Sequence, residues 1–186
     1  MKMRKSLFVL LCTLPSLGLL AGAVAAAGEG PGGRSRVLHV QCGRYSPGNP
    51  PWRRHHDEAT LAPGYGYSVE GNSYRGSYPG SHCWFFNRCG NVTLRCPEGV
   101  EGTLHLFFVD LLSNSRRQTV TVEGHPPEVV VGFGEPGGRW SAYQLTDQET
   151  ADGKVLIEFA LEAGANAVIS RIDFVPKGME DALLPQ

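Results

Sequence analysis

Between Val92 and Phe174 the apolar side chains recur at every second position, and this alternation constrains the fold more than any other feature of the chain. Val92, Leu94 and Cys96 alternate with Thr93 and Arg95, and Leu104, Leu106 and Phe108 alternate with His105 and Phe107. Successive side chains of an extended strand point to opposite faces, so the pattern predicts half-buried strands. Val120 and Val122, then a Gly-His-Pro-Pro turn, then 129–133, predict a hairpin. Further strands are expected at 37–42, around Tyr65, at 139–145, at 155–161 after Asp152-Gly153, and at 172–174. Helix signals are nearly absent. Thr146 and Glu149 match a capping box, but no apolar run follows, so a single turn at most is expected there. Eight or more short strands punctuated by turn residues indicate an all-β fold, an antiparallel β-sandwich of jelly-roll type.

The N-terminus reads differently. Lys2, Arg4 and Lys5 precede an apolar stretch from Leu7 to Ala21 and an alanine-rich run ending at Ala27, the order of a secretory signal peptide over 1–27. Thr13, Pro15, Ser16 and Gly18 interrupt the stretch, which argues against a membrane anchor. A glycine-rich flexible leader is expected at 28–36, the sandwich domain at 37–178 and a C-terminal tail at 179–186. Removing the signal leaves about 160 residues, enough for one domain and not for two. It also removes three positive charges from a chain of net charge −1, leaving about −4, a balance that does not suit a nucleic-acid partner. No second run of eighteen apolar residues follows, so no membrane span is expected in the mature chain. The expected destination is the periplasm or the cell exterior.

Cys12 falls within the signal. The other four cysteines, Cys42, Cys83, Cys89 and Cys96, form an even set in an exported chain and predict two disulfides, with three connectivities open. Their spacing does not match a zinc ribbon.

Catalytic signatures are missing: there is no G-x-S-x-G elbow, H-E-x-x-H helix or phosphate loop, and no enzyme is expected. A long loop at 47–58 carries His55, His56, Asp57 and Glu58, which have the chemistry of a general base or metal ligands. Neighbours in an extended chain point apart, so this group reads as a solvated polar loop. Asp147, Glu149, Asp152 and Asp173 offer hard oxygens to a structural calcium, at a spacing that misses the EF-hand loop, and no other cofactor is expected. Asn91-Val92-Thr93 matches a glycosylation acceptor.

Aromatic residues are the stronger signal. Tyr65, Tyr67, Tyr74, Tyr78, Trp84, Phe85 and Phe86 cluster among polar residues, and sugar rings present apolar C–H faces that stack on such rings while their hydroxyls need polar partners. Phe86 is expected in the core, which also competes for Trp84. The expected carbohydrate-binding set is Tyr74, Tyr78 and Trp84 for stacking, with Asn72, Arg75 and Asn87 for hydrogen bonds. Trp140, after the glycine-rich turn at 134–138, reads as a packing residue.

Three segments, 138–145 (Gly-Arg-Trp-Ser-Ala-Tyr-Gln-Leu), 150–155 (Thr-Ala-Asp-Gly-Lys-Val) and 164–172 (Gly-Ala-Asn-Ala-Val-Ile-Ser-Arg-Ile), together resemble the C-terminal half of galactose-binding-domain-like jelly rolls, over roughly 104–175. The resemblance implies the jelly-roll fold and a sugar-binding tendency, since many members are carbohydrate-binding modules attached to glycoside hydrolases. It carries over no binding residue, and the four cysteines and the loop from Pro47 to Glu58 depart from it. The function expected is a secreted, non-catalytic carbohydrate-binding module-like protein with a carbohydrate or glycoconjugate partner. The alternative is a structural or protein-interaction domain of the cell envelope or exterior.

Overall fold

The computed structural model describes residues 38–45, 55–78, 81–109, 115–132 and 138–179, without the side chains of 44–45, 55–56, 72, 74–78 and 81–82. The signal segment, the leader, residues 46–54 and the tail beyond 179 lie outside the described residues. Within them the two-residue period becomes eleven strands: β1 (Leu38–Tyr45), β2 (His55–Thr60), β3 (Gly66–Tyr78), β4 (Ser81–Arg95), β5 (Gly102–Phe108), β6 (Arg117–Val122), β7 (Glu128–Val131), β8 (Arg139–Leu145), β9 (Lys154–Ala163), β10 (Ala167–Ile169) and β11 (Arg171–Pro176). No described helix is long and apolar enough to cross a membrane.

The strands form two sheets in which every pair is antiparallel. One has the order β2-β1-β11-β5-β8, and the other the order β10-β4-β9-β6-β7, with β3 on the free side of β4. Leu104, Leu106 and Phe108 of β5 and Tyr143 and Leu145 of β8 point inward and meet Val92 and Leu94 of β4 and Val155, Ile157 and Phe159 of β9 in one core. This is the all-β antiparallel sandwich that the alternation implies. The β6–β7 hairpin forms as expected, with the His125 N–H on the Val122 carbonyl at 2.9 Å. Thr146 and Glu149 close their capping box without a helix: the Thr146 N–H donates to Glu149 Oε2 at 2.7 Å and the Glu149 N–H to Thr146 Oγ1 at 3.4 Å.

Two strands, β2 and the three-residue β10, were not legible in the sequence. Residues 55–58 fall in the expected loop, yet His55–Thr60 is an edge strand paired with β1. An edge strand needs no apolar alternation, because backbone pairing on one side suffices to hold it.

Two irregular points shape the sandwich. Between Gly71 and Ser73 the β3–β4 register slips, so that Asn72 stands opposite residues 87–89. A Cβ on Gly90 would lie 2.0 Å from Cδ1 of Phe86, whose buried ring stacks on Phe159 at 5.2 Å. The chain also crosses from one sheet to the other at a single residue, Ser170, between β10 and β11. Its N–H donates to the Phe107 carbonyl and its carbonyl accepts from the Cys42 N–H, both at 2.9 Å. Its hydroxyl takes the Val109 N–H at 3.1 Å. Buried Gln118 bonds both the N–H and the carbonyl of Val168, at 2.8 and 2.9 Å, and so acts as a short extra strand beside β10.

The expectation of two disulfides is corrected by this topology. Each of the three connectivities needs a bond between two of Cys83, Cys89 and Cys96, which all lie along β4 and its first following residue. Cys89 and Cys96 are seven residues apart in extended chain, about 23 Å. Cys83 lies opposite Gly76 and Gly90 opposite Gly71, so Cys83 and Cys89 are separated by about 17 Å. A bridge requires Cα atoms within about 7 Å. No disulfide joins the four cysteines in the structure. Cys83 Sγ donates to the Val109 carbonyl at 3.0 Å and lies 3.1 Å from Ser170 Oγ. Burial, followed by the charge of Asp152, pushes the Cys96 thiol pKa up.

Candidate functional site

Trp84 does not serve as a stacking surface. Its side chain is 1 % exposed, tilts against Tyr67 at 5.7 Å between ring centroids, and donates from Nε1 to Asp57 Oδ1 at 2.6 Å. Phe85 and Phe86 are buried beside it, so this part of β4 is covered on both faces. Asn72, Tyr74, Arg75 and Tyr78 all lie on β3, where Tyr74 is opposite Phe85 and Arg75 opposite Trp84. Their side chains lie outside the described residues. Asn87 is exposed and accepts from Asn166 Nδ2 at 3.4 Å.

The acidic candidates have structural partners. Besides Trp84, Asp57 accepts from the Gly43 N–H at 3.2 Å and from the Tyr67 hydroxyl at 3.3 Å, which ties β2 to β1, β3 and β4. Asp152 Oδ1 accepts the Lys154 N–H at 2.9 Å, and Glu149 is occupied by its capping box. Asp147, Glu149 and Asp152 lie in the turn between β8 and β9, whereas Asp173 sits within β11 beside His39 and Arg171, so the four carboxylates expected to offer a calcium site are not one cluster. No group of three metal-ligating side chains occurs among the described residues.

The solvent face of the five-stranded sheet brings together a different set. Strand pairing aligns Glu58, Gln41, Arg171, Phe107 and Trp140 in one row, and Thr60, His39, Asp173, His105 and Ala142 in the next. Trp140 is 47 % exposed, the most exposed of the large apolar side chains among the described residues. It rests on Phe107 at 4.6 Å between centroids, His105 meets it edge-on at 6.4 Å, and the Arg171 guanidinium lies 5.3 Å from its ring centre. This arrangement fixes the indole and leaves much of its surface open. The expectation that Trp140 is a packing residue is therefore half met: it packs on Phe107 and presents the rest to solvent. The alternation itself carried the signal, since Ser141, Tyr143 and Leu145 point inward and so position 140 must point outward.

Asp173 anchors the centre of this face. Its Oδ1 lies 2.5 Å from His39 Nδ1, and its Oδ2 lies 2.7 Å from Arg171 Nε in an ion pair without the alignment of a hydrogen bond. In the neutral imidazole, a proton on Nδ1 shared with Asp173 leaves Nε2 of His39 as an acceptor. The result is a platform with an aromatic surface, a cation beside it and polar groups within one or two strands.

At the rim, Glu128 of β7 links the two sheets. It accepts from Tyr143 Oη at 2.7 Å, Ser141 Oγ at 3.0 Å and Arg139 Nη2 at 3.1 Å. Burial works to raise its carboxyl pKa, but these hydrogen bonds outweigh it and hold the group below its ordinary value. Burial first, and then the Glu128 hydrogen bond, push the Tyr143 phenol well above its own.

No family model and no curated protein sequence matches the chain. Among solved structures it is similar to an exo-beta-1,3-galactanase from Phanerochaete chrysosporium in complex with galactose, at 19 % identity and a TM-score of 0.38, over 63 % of this chain and 30 % of that one. It is also similar to a family 35 carbohydrate binding module from Clostridium thermocellum, at 15 % identity and a TM-score of 0.39, over 58 % of this chain and 90 % of that one. A third is TmCBM61 in complex with beta-1,4-galactotriose, at 11 % identity and a TM-score of 0.34, over 60 % and 88 %. The solved structures to which it is similar thus include carbohydrate-binding modules.

Proposed function

We propose that this is a secreted, non-catalytic carbohydrate-binding module-like protein whose sugar stacks on Trp140. The observation that carries the reading is a tryptophan 47 % exposed on a sheet face and held in place by Phe107 and Arg171. A sugar's C–H face gains dispersion and apolar burial on an indole, and a ring already fixed by its neighbours loses little entropy when it binds. Arg171, His105 and Gln41 supply donors and acceptors for the hydroxyls. An open sheet face buries little of its ligand, so affinity is modest, roughly micromolar to millimolar. The basic residues, apolar run and small residues at 1–27 support export.

The β3–β4 residues Asn72, Tyr74, Arg75, Tyr78 and Asn87 remain in the proposal as a second contact region. The test is a glycan-array screen of the protein, repeated with Trp140→Ala and Tyr74→Ala. Binding that a soluble sugar competes away, and that Trp140→Ala abolishes in a folded protein, is the expected result. Binding that survives Trp140→Ala and fails with Tyr74→Ala moves the site to β3. Absence of any competable binding by the folded parent protein overturns the reading.

A further inference from the structure

Strand β8 ends the five-stranded sheet, and among the described residues no strand pairs with its outer side. Its backbone polarity can be deduced. The Phe107 carbonyl accepts the Ser170 N–H and so faces β11. Backbone groups alternate sides along a strand, so Leu104, Leu106 and Phe108 turn towards β8 and bond Tyr143, Ser141 and Arg139. The N–H and carbonyl groups of Trp140, Ala142 and Gln144 therefore point out of the sheet.

Natural edges are usually guarded by short length, proline, bulges or charge. The opposite edge strand, β2, carries His55, His56, Asp57 and Glu58, and β7 at the rim of the other sheet has four residues. β8 has seven residues, no proline, no register slip against β5, and a single charge at its first position.

We infer that a second copy of this chain docks on β8, antiparallel about a two-fold axis through Ala142, so that the two five-stranded sheets become one. The outward groups are self-complementary about that axis: Trp140 pairs with the partner's Gln144, Ala142 with the partner's Ala142, and Gln144 with the partner's Trp140. The closest approach of two identical residues then falls on a methyl group. The charges also agree, because Arg139 lies opposite the partner's Leu145 and diagonal to the partner's Asp147. Both Trp140 rings come to lie on one face of a continuous sheet. The dimer rests on backbone geometry and goes beyond the sugar-binding proposal.

Sedimentation velocity on the full chain tests this with a charge swap. Ala142 is exposed, so Ala142→Lys and Ala142→Glu leave the monomer fold intact, which circular dichroism checks. The parent chain sediments as a dimer, each variant alone as a monomer, and an equimolar mixture of the two as a dimer again. Ala142→Pro provides a second variant: it removes the central outward N–H, which faces no paired strand among the described residues, and proline is tolerated at such edges. It too sediments as a monomer. A parent chain that is monomeric at every concentration up to its solubility limit overturns the inference, and so does a dimer that both charged variants leave unchanged. Trp140→Ala, which abolishes the proposed sugar contact, leaves the dimer in place, so failure of one proposal is distinguishable from failure of the other.

Discussion

Trp84 Nε1 donates to Asp57 Oδ1 at 2.6 Å, and this bond fixes an edge strand made almost wholly of polar residues to the core of the sandwich. Asp57→Ala removes the acceptor for a buried indole N–H, an expected loss of about 1–3 kcal/mol of stability. Asp57→Asn keeps an acceptor and recovers a good part of it. Urea unfolding of the two variants measures the difference, and equal losses would show that the indole bond contributes nothing.

Gly90→Ala is expected to cost about 1–3 kcal/mol through overpacking. The new methyl meets the Phe86 ring at 2.0 Å, and that ring cannot retreat because it is buried and stacked on Phe159. Thermal unfolding tests this, with Gly99→Ala as a comparison for backbone strain alone, since a Cβ at Gly99 meets nothing within 4 Å.

The Glu128–Tyr143 bond predicts a pH window. The Glu128 carboxyl is depressed in the folded chain, so its contribution is fully present above the unfolded value of 4.5 and is lost as pH falls through the folded value. The Tyr143 phenol is raised, so its contribution is fully present below 10.0 and is lost as pH rises beyond that. Glu128→Gln lowers stability near neutrality by on the order of 1 kcal/mol, a figure reduced by partial exposure, and flattens the acid side of the profile. Thermal midpoints taken from neutral pH down through the carboxylate range check this. An acid limb as steep in the variant as in the parent would rule it out.

Cysteine labelling under denaturing, non-reducing conditions is expected to modify at least two of Cys42, Cys83, Cys89 and Cys96. The spacing along β4 excludes two bridges within one chain. Complete protection of all four in a chain that runs as a monomer on a non-reducing denaturing gel would contradict the topology.

Much of this architecture was legible in the sequence, because an amphipathic strand writes its orientation at every second residue. Leu104, Leu106 and Phe108 announced β5, and Val120 and Val122 with the turn after them announced the β6–β7 hairpin. Where a segment is buried on both faces or held only by its backbone, the code is silent. Trp84, Phe85 and Phe86 are consecutive and all buried, so no alternation told core from surface, and β2 has no apolar face at all.

The sequence by itself determined that the chain is built of half-buried β-strands, since a period of two places the apolar residues on one face of each. Tertiary structure alone decided which side chains share a surface. Arg171, Phe107 and Trp140 are far apart in the chain and meet because β11, β5 and β8 are neighbours in register. Cys83 and Cys89 are close in sequence and remain apart because β4 is extended. The hydrophobic pattern and the turns set register where strands follow one another directly, but which distant strands become neighbours is decided only when the two sheets pack.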